Sequence, residues 1–89
     1  MLEKHIEQHV CKYAKTKNFI VEKWGKNGNP DRIFISPKGV ALFIEFKRKK
    51  KKTTKLQDEK IKKLLQNNTN VFIVNSVEYG INIIDNFNV

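Results

Sequence analysis

Three residues in the stretch "NPDRIFISPKGVALFIEFKRKKKK" have the types that hydrolytic chemistry uses: Asp31, Glu45 and Lys47. Asp31 precedes a strand-like run. Glu45 and Lys47 sit inside a second run that is otherwise as apolar as a buried strand. Alternation along Val40 to Lys47 puts Val40, Leu42, Ile44 and Phe46 on one face and Ala41, Phe43, Glu45 and Lys47 on the other. A lone E-x-K reads best as a charge pair at an exposed strand end, because such tripeptides are common by chance. Asp31 shifts that balance: antiparallel pairing around "SPKG" brings the start of one strand near the end of the other, so Asp31 and Glu45 can meet at one edge. Two carboxylates at short range raise each other's pKa unless a cation sits between them. Oxygen ligands with room for water suit Mg²⁺ or Mn²⁺. Such a metal generates hydroxide from bound water and stabilises charge on a phosphate, while an adjacent lysine orients or deprotonates the attacking water. The set fits phosphodiester hydrolysis.

The elements that must position these residues follow from periodicity. Leu2, Ile6, Val10, Tyr13 and Ala14 recur at helical spacing from Leu2 to about Lys17. Phe19 to Trp24 reads as a strand, "GKNGNP" as a loop, and Ile33 to Ser36 with Val40 to Lys47 as a hairpin across "PKG". Thr53 or Thr54 can cap a second helix running to about Gln66, ended by "NNTN". "VFIV" reads as a short strand buried on both faces, and Gly80 to Ile84 as an added edge strand. The expected architecture is a single α/β domain over residues 1–89, a mixed β-sheet flanked by helices in the order α-β-β-β-α-β. Tyr79, Ile81, Ile83, Ile84 and Phe87 exceed what a final edge strand needs; they would serve a dimer interface or close the core of a monomer.

Polar residues on the apolar faces of both helices are a separate hint. On a helical wheel Glu3 falls between Val10 and Ala14, with Glu7 at the stripe's margin. Gln57 falls near the middle of the arc of Leu56, Ile61, Leu64 and Leu65. Each must find a partner or escape to solvent. If Glu3 and Gln57 point at the Asp31 and Glu45 edge, one polar pocket accounts for all of them.

Composition narrows the partners. Eighteen Lys and Arg against nine Asp and Glu leave a net charge of +9. That excess points to an anionic partner, nucleic acid before membrane, since no basic amphipathic helix carries it. No apolar segment approaches the ~20 residues that span a bilayer. Cys11 is the single cysteine and cannot form an internal disulfide. With charged residues and histidines interleaved through Met1 to Val10 in place of a signal sequence, the expected location is intracellular. The run Arg48, Lys49, Lys50, Lys51, Lys52 and, beyond two threonines, Lys55 follows the candidate site directly. A run of this kind is most often a solvated loop; beside a metal site it becomes a phosphate clamp, blind to sequence. His5 and His9 share a helix face away from Glu3 without further ligands and read as a solvent-facing pair. Trp24 and Tyr13 read as core or interface residues, with base stacking a minor alternative.

"GNPDRIFIS...GVALFIEFKR" followed by "KLQDEKIKKLL" resembles the VRR-NUC domain of the PD-(D/E)XK nuclease superfamily, over nearly the whole chain from Glu3 to "VFIV". The resemblance implies a restriction-endonuclease-like core. It also implies a metal site in which Asp31 and Glu45 are the metal-binding carboxylates, Lys47 is the catalytic lysine, Gln57 faces the site from the following helix, and Glu3 is the first-helix acid. The Phe46 backbone carbonyl is expected to complete the metal shell. The family's glycine before the PD dipeptide is Gly28 here, with Asn29 intervening. A smaller β-branched residue usually stands where this chain has Phe46, whose side chain points away from the site, so packing rather than chemistry should change. Stand-alone members imply a homodimer acting on branched DNA such as four-way (Holliday) junctions, in the cytoplasm of a bacterial or phage-infected host cell. The expectation is therefore a Mg²⁺-dependent, structure-selective DNA endonuclease with Mn²⁺ as substitute. The competing reading is a non-catalytic basic nucleic-acid-binding module in which Glu45 and Lys47 are a surface pair.

Overall fold

The computed structural model describes residues 1–88. Helix α1 (Glu3–Thr16) leads into strand β1 (Ile20–Lys23), the hairpin β2 (Arg32–Ile35) and β3 (Ala41–Phe46), helix α2 (Lys55–Gln66), strand β4 (Asn70–Val74) and helix α3 (Val77–Asn86). The sheet order is β1-β2-β3-β4. The first two pairings are antiparallel and β3 with β4 is parallel. A parallel pair needs a crossover, and α2 supplies it.

Alternation divides the sheet. Phe34, Leu42, Ile44, Phe46 and Val74 turn one way and are buried with Ile6, Val10, Cys11 and Ala14 of α1 and Ile83 and Ile84 of α3. Burying each such large side chain contributes about 1.5–3 kcal/mol, so nearly all apolar stabilisation sits on this face. The Tyr13 hydroxyl donates to Asp85 at 2.5 Å, tying α1 to α3. The opposite face carries Glu45. It is covered by α2, which has no fully buried residue and leaves Leu56 and Leu65 exposed.

Two expectations are corrected. The segment holding Gly80 to Ile84 is the helix α3 rather than an edge strand. Ser76 caps it, its side chain accepting from Tyr79 N–H, and Val77, Gly80, Ile81 and Ile84 recur at i, i+3, i+4 and i+7, the helical period. With that helix in place Ile83 and Ile84 close the monomer's own core, and Phe87 packs edge-on against Phe72 at 6.0 Å. Second, β4 is an edge strand and is not buried on both faces. It pairs with β3 alone, and Ile73 is 45% exposed because α2 covers its side of the sheet only in part.

Helix α3 lies close against α1 at Gly80. A Cβ added there would overlap Val10 Cγ2 and crowd Val74 Cγ1 at 3.3 Å, in the packed centre of the core. Gly80→Ala should therefore destabilise the protein by about 1–3 kcal/mol, even though alanine gains up to about 1 kcal/mol of helix propensity. Urea unfolding checks this as a lower midpoint at unchanged slope.

Candidate active site

The β2–β3 register sets Arg32 opposite Ile44, so Asp31, one residue earlier, lies across from Glu45. The Phe46 N–H donates to Asp31 Oδ2 at 2.8 Å, clamping the two strand ends together. Glu45 and Lys47 leave the same face of β3 and are only 2% and 8% exposed, which removes the surface-pair reading. Lys47 Nζ stands 3.3 Å from Glu45 Oε2.

Gln57 reaches the same carboxylate from α2. Thr54 caps that helix in a reciprocal box: its hydroxyl accepts from Gln57 N–H at 3.2 Å, and Gln57 Oε1 accepts from Thr54 N–H at 2.9 Å. Since the oxygen of the Gln57 amide is committed to the cap, its NH₂ must point the other way. It donates to Glu45 Oε2 at 2.8 Å. The helix is seated at this end by a close approach of the β1–β2 loop. Gly28 has φ +78°, and a Cβ there would stand 2.7 Å from Leu56 Cγ and 2.9 Å from the Leu56 carbonyl oxygen. Only glycine meets both conditions.

The electrostatics are those of an incomplete site. Burial, then the charge of Asp31, push the Glu45 carboxyl up to about 7, and Lys47 opposes the shift only in part. Burial also raises Asp31, against the Phe46 hydrogen bond that lowers it. Glu45 Oε1 is buried without a hydrogen-bond partner. A buried, unanswered carboxylate oxygen beside a second carboxylate is a donor set that a hard divalent cation fits. Among the described residues no three His, Cys, Asp or Glu side chains converge on a metal position. The donors brought together are the carboxylates of Asp31 and Glu45, a sparse set of the kind that suits an ion keeping several waters, as Mg²⁺ does.

The other singled-out residues lie around this centre. Glu3 Oε1 accepts from Arg48 N–H at 3.3 Å, fastening α1 to the start of the basic loop, and its charge adds to the rise of the Asp31 carboxyl. Glu7 pairs with Arg32, Oε2 to Nε 2.6 Å. Arg48, Lys49, Lys50, Lys51, Lys52 and Lys55 are all exposed, in the loop and first turn joining β3 to α2. His5 and His9 are exposed on α1. Cys11 is in the core, and burial pushes its thiol up to about 11, which leaves it inert as a nucleophile. No local signal in the sequence announces the Glu7–Arg32 pair. Of the two candidate caps the structure uses Thr54, and T-x-x-Q from Thr54 to Gln57 is the capping-box signature that distinguishes it.

No sequence-family model matches the chain, and no curated protein matches it. A solved structure described as a VRR_NUC domain superposes with a TM-score of 0.85, covering 98% of this chain and 99% of that one at 23% identity. The chain has the fold of a VRR_NUC domain. Within this VRR_NUC fold, the carboxylate pair lies where the β2–β3 hairpin ends and α2 begins, on the sheet face away from the core.

A raised carboxyl pKa has a defined effect on stability. Between the unfolded value of 4.5 and about 7 the folded protein holds the Glu45 proton that the unfolded chain releases, so metal-free stability falls as pH rises through that window. The loss from this group is on the order of 3 kcal/mol at most. Urea melts in EDTA should show this decline from pH 5 to pH 8 and a flatter profile in Glu45→Gln. An unchanged slope in that variant would assign the decline to another group.

Proposed function

We propose that this protein is a Mg²⁺-dependent, structure-selective DNA endonuclease that hydrolyses phosphodiester bonds of branched DNA such as four-way junctions. The observation that supports it most is the burial of Glu45 with one carboxylate oxygen unanswered, Asp31 across the strand pair and Lys47 at 3.3 Å. A structural ion pair would leave no such vacancy of partners, whereas a cation between the carboxylates supplies the missing charge.

Asp31, Glu45 and the Phe46 peptide oxygen would hold the metal, with Mn²⁺ accepted by the same donors. When bound, the ion supplies an acidified water and neutralises charge growing on the scissile phosphate. Lys47 orients the attacking water or takes its proton. Gln57 keeps Glu45 from swinging away, its own rotamer locked by Thr54. Arg48, Lys49, Lys50, Lys51, Lys52 and Lys55 take the flanking phosphates, giving affinity without base readout. Glu3 holds the first residue of that strip through Arg48 N–H and acts by positioning the strip.

A homodimer completes the proposal, since two symmetric cuts need two sites and each chain supplies one. Of the apolar residues near the end of the chain, Ile83 and Ile84 are in the core and Phe87 packs against it, while Tyr79 stays exposed. Leu65 of α2 and Ile73 of β4 are each about half exposed, and with Ile61 they line one shallow depression, the surface a second copy would cover. Light scattering should give a dimer mass for the wild type and a monomer for Ile73→Lys; a dimer in both would place the contact elsewhere.

Incubating labelled four-way junction, flap, duplex and single-stranded DNA with Mg²⁺, Mn²⁺ or EDTA tests the activity. Metal-dependent cleavage of branched DNA is expected, with Lys47→Ala slower by 10²-fold or more, roughly the scale of general acid–base catalysis. Glu45→Ala should not cleave but should still bind. Binding without cleavage by wild type in either metal would leave the non-catalytic binding module in its place.

A further inference from the structure

The β1–β2 loop holds features that the phosphodiesterase chemistry does not use. Trp24 is the residue just after β1, and its N–H donates to the Asp31 carbonyl oxygen at 3.0 Å. Continuing the Lys23–Arg32 register, Trp24 is the cross-strand neighbour of Asp31. Its ring meets Phe43 with centroids 5.3 Å apart at 47°. Both aromatics are half-buried and stand outside the core cluster, on the sheet face that carries Glu45. Beside them opens a cavity of about 480 Å³ lined by Glu7, Lys23, Trp24, Gly25, Lys26 and Asp31. Its volume falls within the roughly 300–1,000 Å³ of small-ligand pockets.

The lining has a consistent chemistry. Glu7 is neutralised by Arg32 at 2.6 Å, and Asp31 belongs to the candidate metal site. The charges left over are the exposed lysines 23 and 26, next to an indole. The loop is held in shape by Gly25 N–H to the Pro30 carbonyl at 2.9 Å and Asn29 N–H to the Lys26 carbonyl at 3.0 Å. A rigid aromatic with cations at its rim is the arrangement that receives an unstacked base and its phosphate, because every base offers a π-face and stacking tolerates any sequence.

We infer that this cavity takes an unpaired nucleotide of the DNA strand at the candidate active site, its base against Trp24 and its phosphate on Lys23 and Lys26. The inference rests on the nuclease reading and names what that site selects: DNA with unstacked nucleotides next to the bond to be cut. A fully paired duplex keeps its bases stacked and cannot fill the cavity without first losing that stacking.

Trp24 is the chain's only tryptophan, so its intrinsic fluorescence reports the cavity directly. In EDTA, where no cleavage occurs, wild type would be titrated with oligo-dT, with a duplex bearing a short single-stranded flap, and with the matching blunt duplex. Quenching by oligo-dT and the flap, but not by the blunt duplex at equal saturation, is the expected result. Trp24→Ala should weaken flap binding by about five- to 150-fold relative to blunt duplex, the fold-change of one lost base stack, and Trp24→Phe should recover most of it. Lys26→Ala should lower the salt dependence of flap binding by about one counterion. Binding of all three DNAs with no fluorescence change, or with equal quenching by blunt duplex, would overturn the inference. Because these readings need neither metal nor turnover, an absence of cleavage in the separate activity assay would strike the nuclease reading and leave this outcome to be judged alone.

Discussion

The charge of Glu45 is the constraint around which this protein is organised. A carboxylate at 2% exposure, facing a second carboxylate, is costly to ionise, and a chain of this size has little stability to spare for it. The surrounding structure reduces that cost without removing it. Lys47 offers a cation at 3.3 Å and Gln57 a hydrogen bond at 2.8 Å, both to Oε2, while Oε1 receives nothing. An arrangement serving stability alone would have answered both oxygens or replaced the residue by an apolar one. The unanswered oxygen is therefore where the fold and the proposed chemistry meet.

The positions of several distant residues follow from that point. Asp31 is held by the N–H of the residue next to Glu45, so the two carboxylates cannot drift apart while the hairpin is paired. Gln57 is aimed by a helix cap, and the helix is seated by the contact between Gly28 and Leu56. Three separate devices, a strand register, a capping box and a glycine contact, converge on one side chain. These contacts fix the site's geometry even though α2 buries no residue completely.

The sheet divides the work between its faces. One carries the apolar core with α1 and α3. The other carries the carboxylates, the half-buried aromatics Trp24 and Phe43, and the edge of α2 with exposed leucines. A domain of 89 residues builds one well-packed layer, and its second face is left outside the core cluster. Six of the eighteen Lys and Arg lie from Arg48 to Lys55, in the loop and first helical turn after β3, next to the carboxylates, which sets an attractive field around a centre that is itself negative.

How much of this was legible in the sequence differs from element to element. Hydrophobic periods found α1, the hairpin and α2, because alternation and helical spacing are written in consecutive residues. The E-x-K placement and the hairpin's turn were enough to bring Asp31 towards Glu45. The final segment was misread as a strand because its isoleucines suit either period, and what decides for a helix is the Ser76 cap and the seat against Val10. Likewise the exposure of Ile73 depends on how little of β4 is covered by α2, a property of packing that no stretch of five residues contains. The Glu7–Arg32 pair and the placement of Trp24 beside Asp31 join positions from separate elements. Sequence by itself determined which residues could do chemistry and on which elements they lie, since residue type and periodicity are local. Only the tertiary structure decided that Glu45 is buried with one oxygen unpaired and that the single indole borders the same site, because burial and contact depend on how all the elements pack at once.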